Sequence, residues 1–172
     1  MNFSQLAESR FSARKFSSRP VEPEKLEAIL RAGQVSPTAC NLQPQRVLVI
    51  QSPAALEKLQ KCSVHHFGET LALLVCYDKT ECWARGYDGK ASGETDAAIV
   101  ATHMMLAAWE LGIGSTWIMH FIPQAVEEEF SLPKAYEPAA LLLMGYPAED
   151  CRPAPLHSKK KPLEETVFYD SF

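Results

Sequence analysis

Apolar residues along this chain arrive in two rhythms. Four short runs are continuous or β-branched, at residues 46–51, 71–77, 115–119 and 139–144. Runs of this length bounded by turn residues predict strands. The run from Leu71 to Tyr77 shows no polar alternation, so it predicts a strand covered on both faces. Elsewhere the apolar positions recur at helical spacing. Phe3 and Leu6 share one face of a short first helix, capped by Asn2 and ending near Ser9. Leu26, Ile29 and Leu30 mark a second helix over 24–32, entered past Pro20 and Pro23 and stopped by Gly33. Ser52-Pro53 starts a third, reaching about Cys62. Asp96 opens a long apolar helix to about Leu111, and a short one spans 123–130 with Pro at its first turn.

Connections separate these elements. Residues 10–19 form a basic connector, and 36–44 a polar loop between prolines. Residues 78–95, rich in Gly, Asp, Lys and aromatics, are the longest irregular stretch in the middle. Gly145-Tyr146-Pro147 closes the last strand before a Pro- and Lys-rich tail. Strands separated by helices without strict alternation predict an α+β fold, a sheet with helices against it. Neither an internal repeat nor a long linker divides the chain, so residues 1–172 are expected to form a single domain. The apolar stretch 97–119 raises the question of a membrane span, with Glu110 as its only formal charge. Gly112-Ile113-Gly114 interrupts it after roughly 16 residues, short of the ~20 that a span requires.

Composition narrows the classes further. Apolar residues make up 47% and charged residues 22% of 172, ordinary globular values that exclude disorder as the dominant state. A net charge of −4 argues against a nucleic-acid binder that works by overall positive charge. The cations nevertheless collect at the ends. Arg10, Arg14, Lys15 and Arg19 face Glu8 alone, and Arg152, Lys159, Lys160 and Lys161 crowd the tail. An anionic ligand is one reading of these clusters, and solvated surface charge is the other. The five cysteines include no C-x-x-C pair, and the chain opens without a continuous apolar leader, so a reduced, cytoplasmic setting is expected.

Four clusters could carry chemistry. In Arg10-Phe11-Ser12-Ala13-Arg14 an extended backbone puts Arg10, Ser12 and Arg14 on one side, as a phosphate requires, with Phe11 turned to the core or to a cofactor ring. A basic surface connector would look the same. In Ser36-Pro37-Thr38-Ala39-Cys40-Asn41-Leu42-Gln43-Pro44 the prolines restrict a loop whose Thr38, Asn41 and Gln43 suit the edge of a heterocycle, or simply form turns. Gly112-Ile113-Gly114-Ser115-Thr116-Trp117-Ile118 turns a buried helix sharply into a strand that can aim backbone N–H groups at a ligand. Lys159-Lys160-Lys161-Pro162-Leu163-Glu164-Glu165 leads into an apolar end with Val167, Phe168 and Tyr169.

Together and in this order, the four clusters resemble the FMN-dependent nitroreductase family from Phe3 to Val167. Asp96 also matches a frequent family position. The resemblance implies a central, mainly antiparallel sheet flanked by helices, in an intertwined homodimer that binds FMN at the subunit interface. Arg10 and Ser12 would hold the phosphate and ribityl end, with Phe11 beside them and Arg14 nearer the pyrimidine edge of the ring. Lys159 and Lys161 would complete the phosphate site. Pro37, Thr38, Ala39, Asn41 and Gln43 would come from the partner subunit. Trp117, Ile118 and Met119 would line one face, with a backbone N–H near Met119 directed at flavin N5. NAD(P)H would pass a hydride to N5, and an electron-poor acceptor such as a nitroaromatic or quinone would take the electrons in a ping-pong cycle. No side chain need act as a catalytic acid or base. A non-catalytic flavin-binding or sensing module, or a same-fold flavin enzyme carrying out dehalogenation or dehydrogenation, would share the pattern.

The sequence departs from the family pattern in places. Gln45 follows Pro44 where the family commonly has Trp, Cys40 takes a small or polar position, and Met119-His120 stands where some members have Glu-Gly. His65 or His66 could approach the polar edge of the flavin, and Trp83 and Tyr87 could form a lid. Cys62 with His65 and His66 has zinc-like spacing but lacks a second pair of ligands, and Cys40 could be a nucleophile with a histidine as base.

Overall fold

The computed structural model describes residues 2–172. Four strands form one sheet: β1 (Gln45–Ile50), β2 (Leu71–Asp78), β3 (Gly114–Ile118) and β4 (Tyr136–Gly145). Their order is β1-β2-β4-β3, and every neighbouring pair is antiparallel. The unbroken apolar runs take the two central positions, because only there are both faces covered.

Alternation along β2 and β4 divides the core in two. Leu71, Leu73, Val75, Ala140, Leu142 and Met144 face one side, against α2 (Pro23–Gln34) and α4 (Gly93–Glu110). Ala72, Leu74, Cys76, Leu141 and Leu143 face the other, where Leu59 of α3 (Pro53–Leu59) and Val126 of α5 (Pro123–Phe130) close the layer. A helix on either side of an antiparallel sheet gives the expected α+β architecture. Asn2 caps α1 (Phe3–Ser9) reciprocally: its side chain accepts from the Gln5 N–H, and the Gln5 side chain accepts from the Asn2 N–H.

Several boundaries move for identifiable reasons. Gly33 does not stop α2, which continues to Gln34. A Cβ at Gly33 would lie 2.8 Å from Met104 Cγ, so this glycine lets α2 and α4 approach closely. α4 begins at Gly93 rather than Asp96, since Gly93 sits under the Tyr77 ring, where a Cβ would come within 2.1 Å of it. The third helix ends at Leu59 instead of Cys62. β4 begins at Tyr136 rather than Ala139: its register jumps from Pro138 opposite Cys76 to Ala140 opposite Val75, a bulge that accommodates Ala139 and a proline without an N–H to donate. Among the described residues, no helix is long and apolar enough to cross a membrane.

Candidate functional site

Residues 10–16 run along the outer edge of the sheet. Ser12 pairs with Ser115 of β3, the Ala13 N–H donates to the Ser115 carbonyl at 2.9 Å, and Phe16 pairs with Pro147. Ala13 and Phe16 are buried. A Cβ at Gly114 would fall 2.8 Å from both Ala13 Cβ and Pro147 Cγ, so only glycine lets the segment lie this close. In Gly112-Ile113-Gly114, Gly112 supplies the turn at φ +77° and Gly114 supplies the room.

Along this segment Arg10 and Ser12 are half-buried and Arg14 is exposed. Among the described residues their side chains make no hydrogen bond or ion pair. Burial pushes the Arg10 guanidinium below its ordinary value. A half-buried cation without a counter-ion is poised for an external anion, and a neighbouring hydroxyl and a second guanidinium add donors. Phe11 packs edge-on against Trp109 of α4, with ring centroids 5.0 Å apart, and against His157 of the tail at 6.3 Å. The two basic ends of the chain therefore share a neighbourhood. Lys159 is exposed two residues beyond His157, and Lys161 lies 3.9 Å from Glu165.

The loop 36–44 is held in an unusual conformation. Cys40, Asn41 and Gln43 are left-handed, with φ of 51°, 53° and 53°. Such non-glycine residues persist only where their surroundings impose the geometry. Here the Ala39 N–H donates to Asp96 Oδ1 at 2.9 Å, and the Gln43 N–H donates to Thr38 Oγ1 at 3.1 Å. Asp96 is buried, and its second oxygen accepts from Ser92 Oγ at 2.6 Å. Pro37, Asn41 and Gln43 are exposed, and Thr38 and Ala39 are half-buried. The sequence placed Asp96 only at a helix head. Its anchoring role was signalled by a carboxylate at the start of a long apolar run.

The end of β3 supplies the third part. Ile118 is buried, Trp117 is half-buried and donates from Nε1 to Met119 Sδ at 3.1 Å, and Met119 is exposed. Just beyond, His120 Nδ1 lies 3.2 Å from His65 Nε2. Ser63 braces the pair, donating to the His120 carbonyl at 2.9 Å and accepting from the His65 N–H at 3.1 Å. His66 is engaged elsewhere, with Nε2 donating to the Ser63 carbonyl at 2.7 Å and Nδ1 2.9 Å from Glu69. The Cys62 thiol is buried and turned to the Lys58 carbonyl at 3.6 Å. The zinc-like trio thus does not converge, and no group of three or more metal-binding side chains occurs among the described residues. Cys40 is exposed and has no hydrogen-bonded histidine among them.

These parts do not all lie at one end of the protomer. The loop 36–44 is anchored at the head of α4 through Asp96, whereas Phe11 packs at its tail on Trp109. At a rise of 1.5 Å per residue, those two points on α4 are ~20 Å apart.

The model of the nitroreductase family matches residues 7–70 and 69–146. The chain is 44% identical to a nitroreductase family protein of Clostridium difficile 630, each chain covered over 100% of its length, with a TM-score of 0.94. It is 25% identical to an FMN-dependent nitroreductase of Clostridium difficile R20291, covering 99% of this chain and 100% of that one, with a TM-score of 0.80. An FMN reductase [NAD(P)H] of Bacillus subtilis is 29% identical over 173 aligned positions, 88% of this chain and 65% of that protein.

Proposed function

The chain belongs to the nitroreductase family, and from that premise we propose that it is an FMN-dependent NAD(P)H oxidoreductase acting on an electron-poor acceptor such as a nitroaromatic or quinone. The whole chain serves as one FMN-binding domain in a reducing, cytoplasmic setting. The observation that carries this reading is the half-buried Arg10 guanidinium, which lacks an anionic partner among the described residues. A phosphate dianion supplies the missing charge, with Ser12, Arg14, Lys159 and Lys161 as further donors.

Bound FMN would supply the two-electron chemistry that links NAD(P)H to the acceptor in a ping-pong cycle. The protein binds, orients and shields. Phe11 joins Arg10 and Ser12 at the phosphate and ribityl end, while Arg14 offers positive charge near the pyrimidine edge, where negative charge develops on reduction. Trp117, Ile118 and Met119 form a wall whose backbone N–H groups orient the ring. Pro37, Thr38, Ala39, Asn41 and Gln43 cover it.

The protein works as a homodimer, in which the loop of one copy completes the site of the other. The ~20 Å between the two ends of the site along α4 supports this sharing. So do the half-exposed Leu106 on α4 and the exposed Leu163, Phe168, Tyr169 and Phe172 of the tail, which leave apolar surface for a second copy.

The test is spectroscopic. Protein loaded with FMN is mixed anaerobically with NADH and with NADPH. Bleaching of the flavin band by either supports the reductase. FMN bound but never bleached indicates a binding module, and failure to retain FMN removes the basis of the proposal.

A further inference from the structure

Between β2 and α4 the chain builds a feature that the phosphate site does not need. Ala84 pairs with Ala91, the Arg85 N–H donates to the Lys90 carbonyl at 3.0 Å, and the Gly89 N–H donates to the Arg85 carbonyl at 2.8 Å. The resulting small hairpin is fastened to the head of α4 by the Ser92 N–H, which donates to the Trp83 carbonyl at 2.8 Å. Tyr87, once a lid candidate, stands fully exposed near its tip. Trp83 instead lines a groove of about 420 Å³ with Ala39, Arg85, Lys90, Asp96 and Ile99.

Around this groove the cations Arg85 and Lys90 equal the carboxylates Asp88 and Asp96 in number, but they are not all paired. The Arg85 guanidinium is held bidentately by Asp88, at 2.8 and 2.5 Å. Both oxygens of the buried Asp96 are occupied by the Ala39 N–H and the Ser92 hydroxyl. The Lys90 ammonium has no anionic partner among the described residues. Trp83 is 40% exposed, which leaves ring surface available for stacking. A cation with no ion-pair partner and an exposed indole lining one groove, in a volume suited to one or two rings, match a flat ring carrying a negative group.

We infer that this groove is a recognition subsite for a planar ring bearing an anionic substituent, with Trp83 as the stacking surface and Lys90 as the charge partner. The inference rests on the flavoenzyme reading, because Ala39 belongs both to the groove and to the loop that covers the flavin. The chemistry fits two sources, an aromatic carboxylate acceptor or the adenylate end of the dinucleotide.

The experiment uses the full chain loaded with FMN, as wild type, Lys90→Gln and Trp83→Leu. The acceptors are 4-nitrobenzoate and neutral 4-nitrobenzamide, and the KM for NADPH is measured in parallel. Lys90→Gln is expected to raise the KM for 4-nitrobenzoate about 3- to 10-fold at unchanged kcat, the range of a partly exposed charge contact, and to leave 4-nitrobenzamide alone. Trp83→Leu is expected to raise the KM for both acceptors. If Lys90→Gln raises the KM for NADPH instead, the subsite stands and its occupant is the adenylate. Equal effects on the charged and neutral acceptors, or no effect on any KM, would overturn it. Calorimetric titration of 4-nitrobenzoate into wild type and Lys90→Gln decides the subsite even if the chain retains no FMN, a result that would count against the flavin reading alone. Identical affinities in that titration, and in the same titration with 5′-AMP, would overturn the subsite.

Discussion

Asp96 and Ala39 are joined across the fold: the carboxylate of one accepts the backbone N–H of the other at 2.9 Å. This bond connects a loop with three left-handed non-glycine residues to the first turn of the longest helix. Asp96→Ala would leave the Ala39 N–H and the Ser92 hydroxyl without their acceptor. The expected cost is about 1–3 kcal/mol, read as a lower urea midpoint at unchanged m. If loop 36–44 covers the flavin as proposed, FMN affinity should fall with it, because the loop loses its anchor.

Arg10→Ala should separate binding from folding. In the protein without FMN, removal of a half-buried cation that lacks a counter-ion should leave the urea midpoint unchanged or slightly higher. FMN affinity should fall about 10- to 150-fold, the loss of one charged contact worth ~1.5–3 kcal/mol. Fluorescence titration of FMN measures the second effect. Unchanged affinity would show that residues 10–14 do not hold the phosphate.

Thiol reactivity follows burial. Cys40 is exposed, Cys62, Cys76 and Cys151 are buried, and Cys82 is half-buried. Burial pushes the Cys76 thiol up to about 12, and it raises Cys62 and Cys82 as well. A raised thiol value means less thiolate at pH 8 and slower attack. Ellman's reagent at pH 8 should therefore titrate one thiol promptly in the native protein. Cys40→Ser should abolish that fast phase, and denaturant should release the remainder.

The Tyr146 hydroxyl donates to Glu22 Oε2 at 2.5 Å, and Arg19 donates to Oε1 at 2.5 Å. Chiefly through the tyrosine, these contacts hold the Glu22 carboxyl at about 2. A depressed carboxyl stabilises the fold above its unfolded value near 4.5 and loses that contribution as the pH falls towards 2. Tyr146→Phe should be less stable than wild type, by a margin widest above pH 4.5 that narrows on acidification towards pH 2. The residual gap should reflect the lost hydrogen bond from Lys25 to the hydroxyl, 2.7 Å long. Urea midpoints at pH 7, 4 and 3 would trace the curve.

Local chemistry made much of this legible. The apolar run at 71–77 was legible as a strand covered on both faces and that at 139–144 as a strand, and Ser12 does lie in a segment paired with the sheet edge. What was missed depends on tertiary approach. Gly33 looks like a terminator until Met104 is seen against it, and Gly114 looks like a turn residue until Ala13 and Pro147 crowd it. Likewise the pairing of His65 with His120 depends on Ser63 bridging two connections far apart in sequence. No periodicity encodes such contacts.

The two ends of α4 carry different obligations. Its head restrains the loop through Asp96, and its tail meets the basic segment through Trp109. Deleting a single residue midway would shift one end against the other by about 1.5 Å and turn it by about 100°. Its length and phase are thus a gauge between the anchored loop and the basic segment, and an insertion or deletion there would displace both in one stroke.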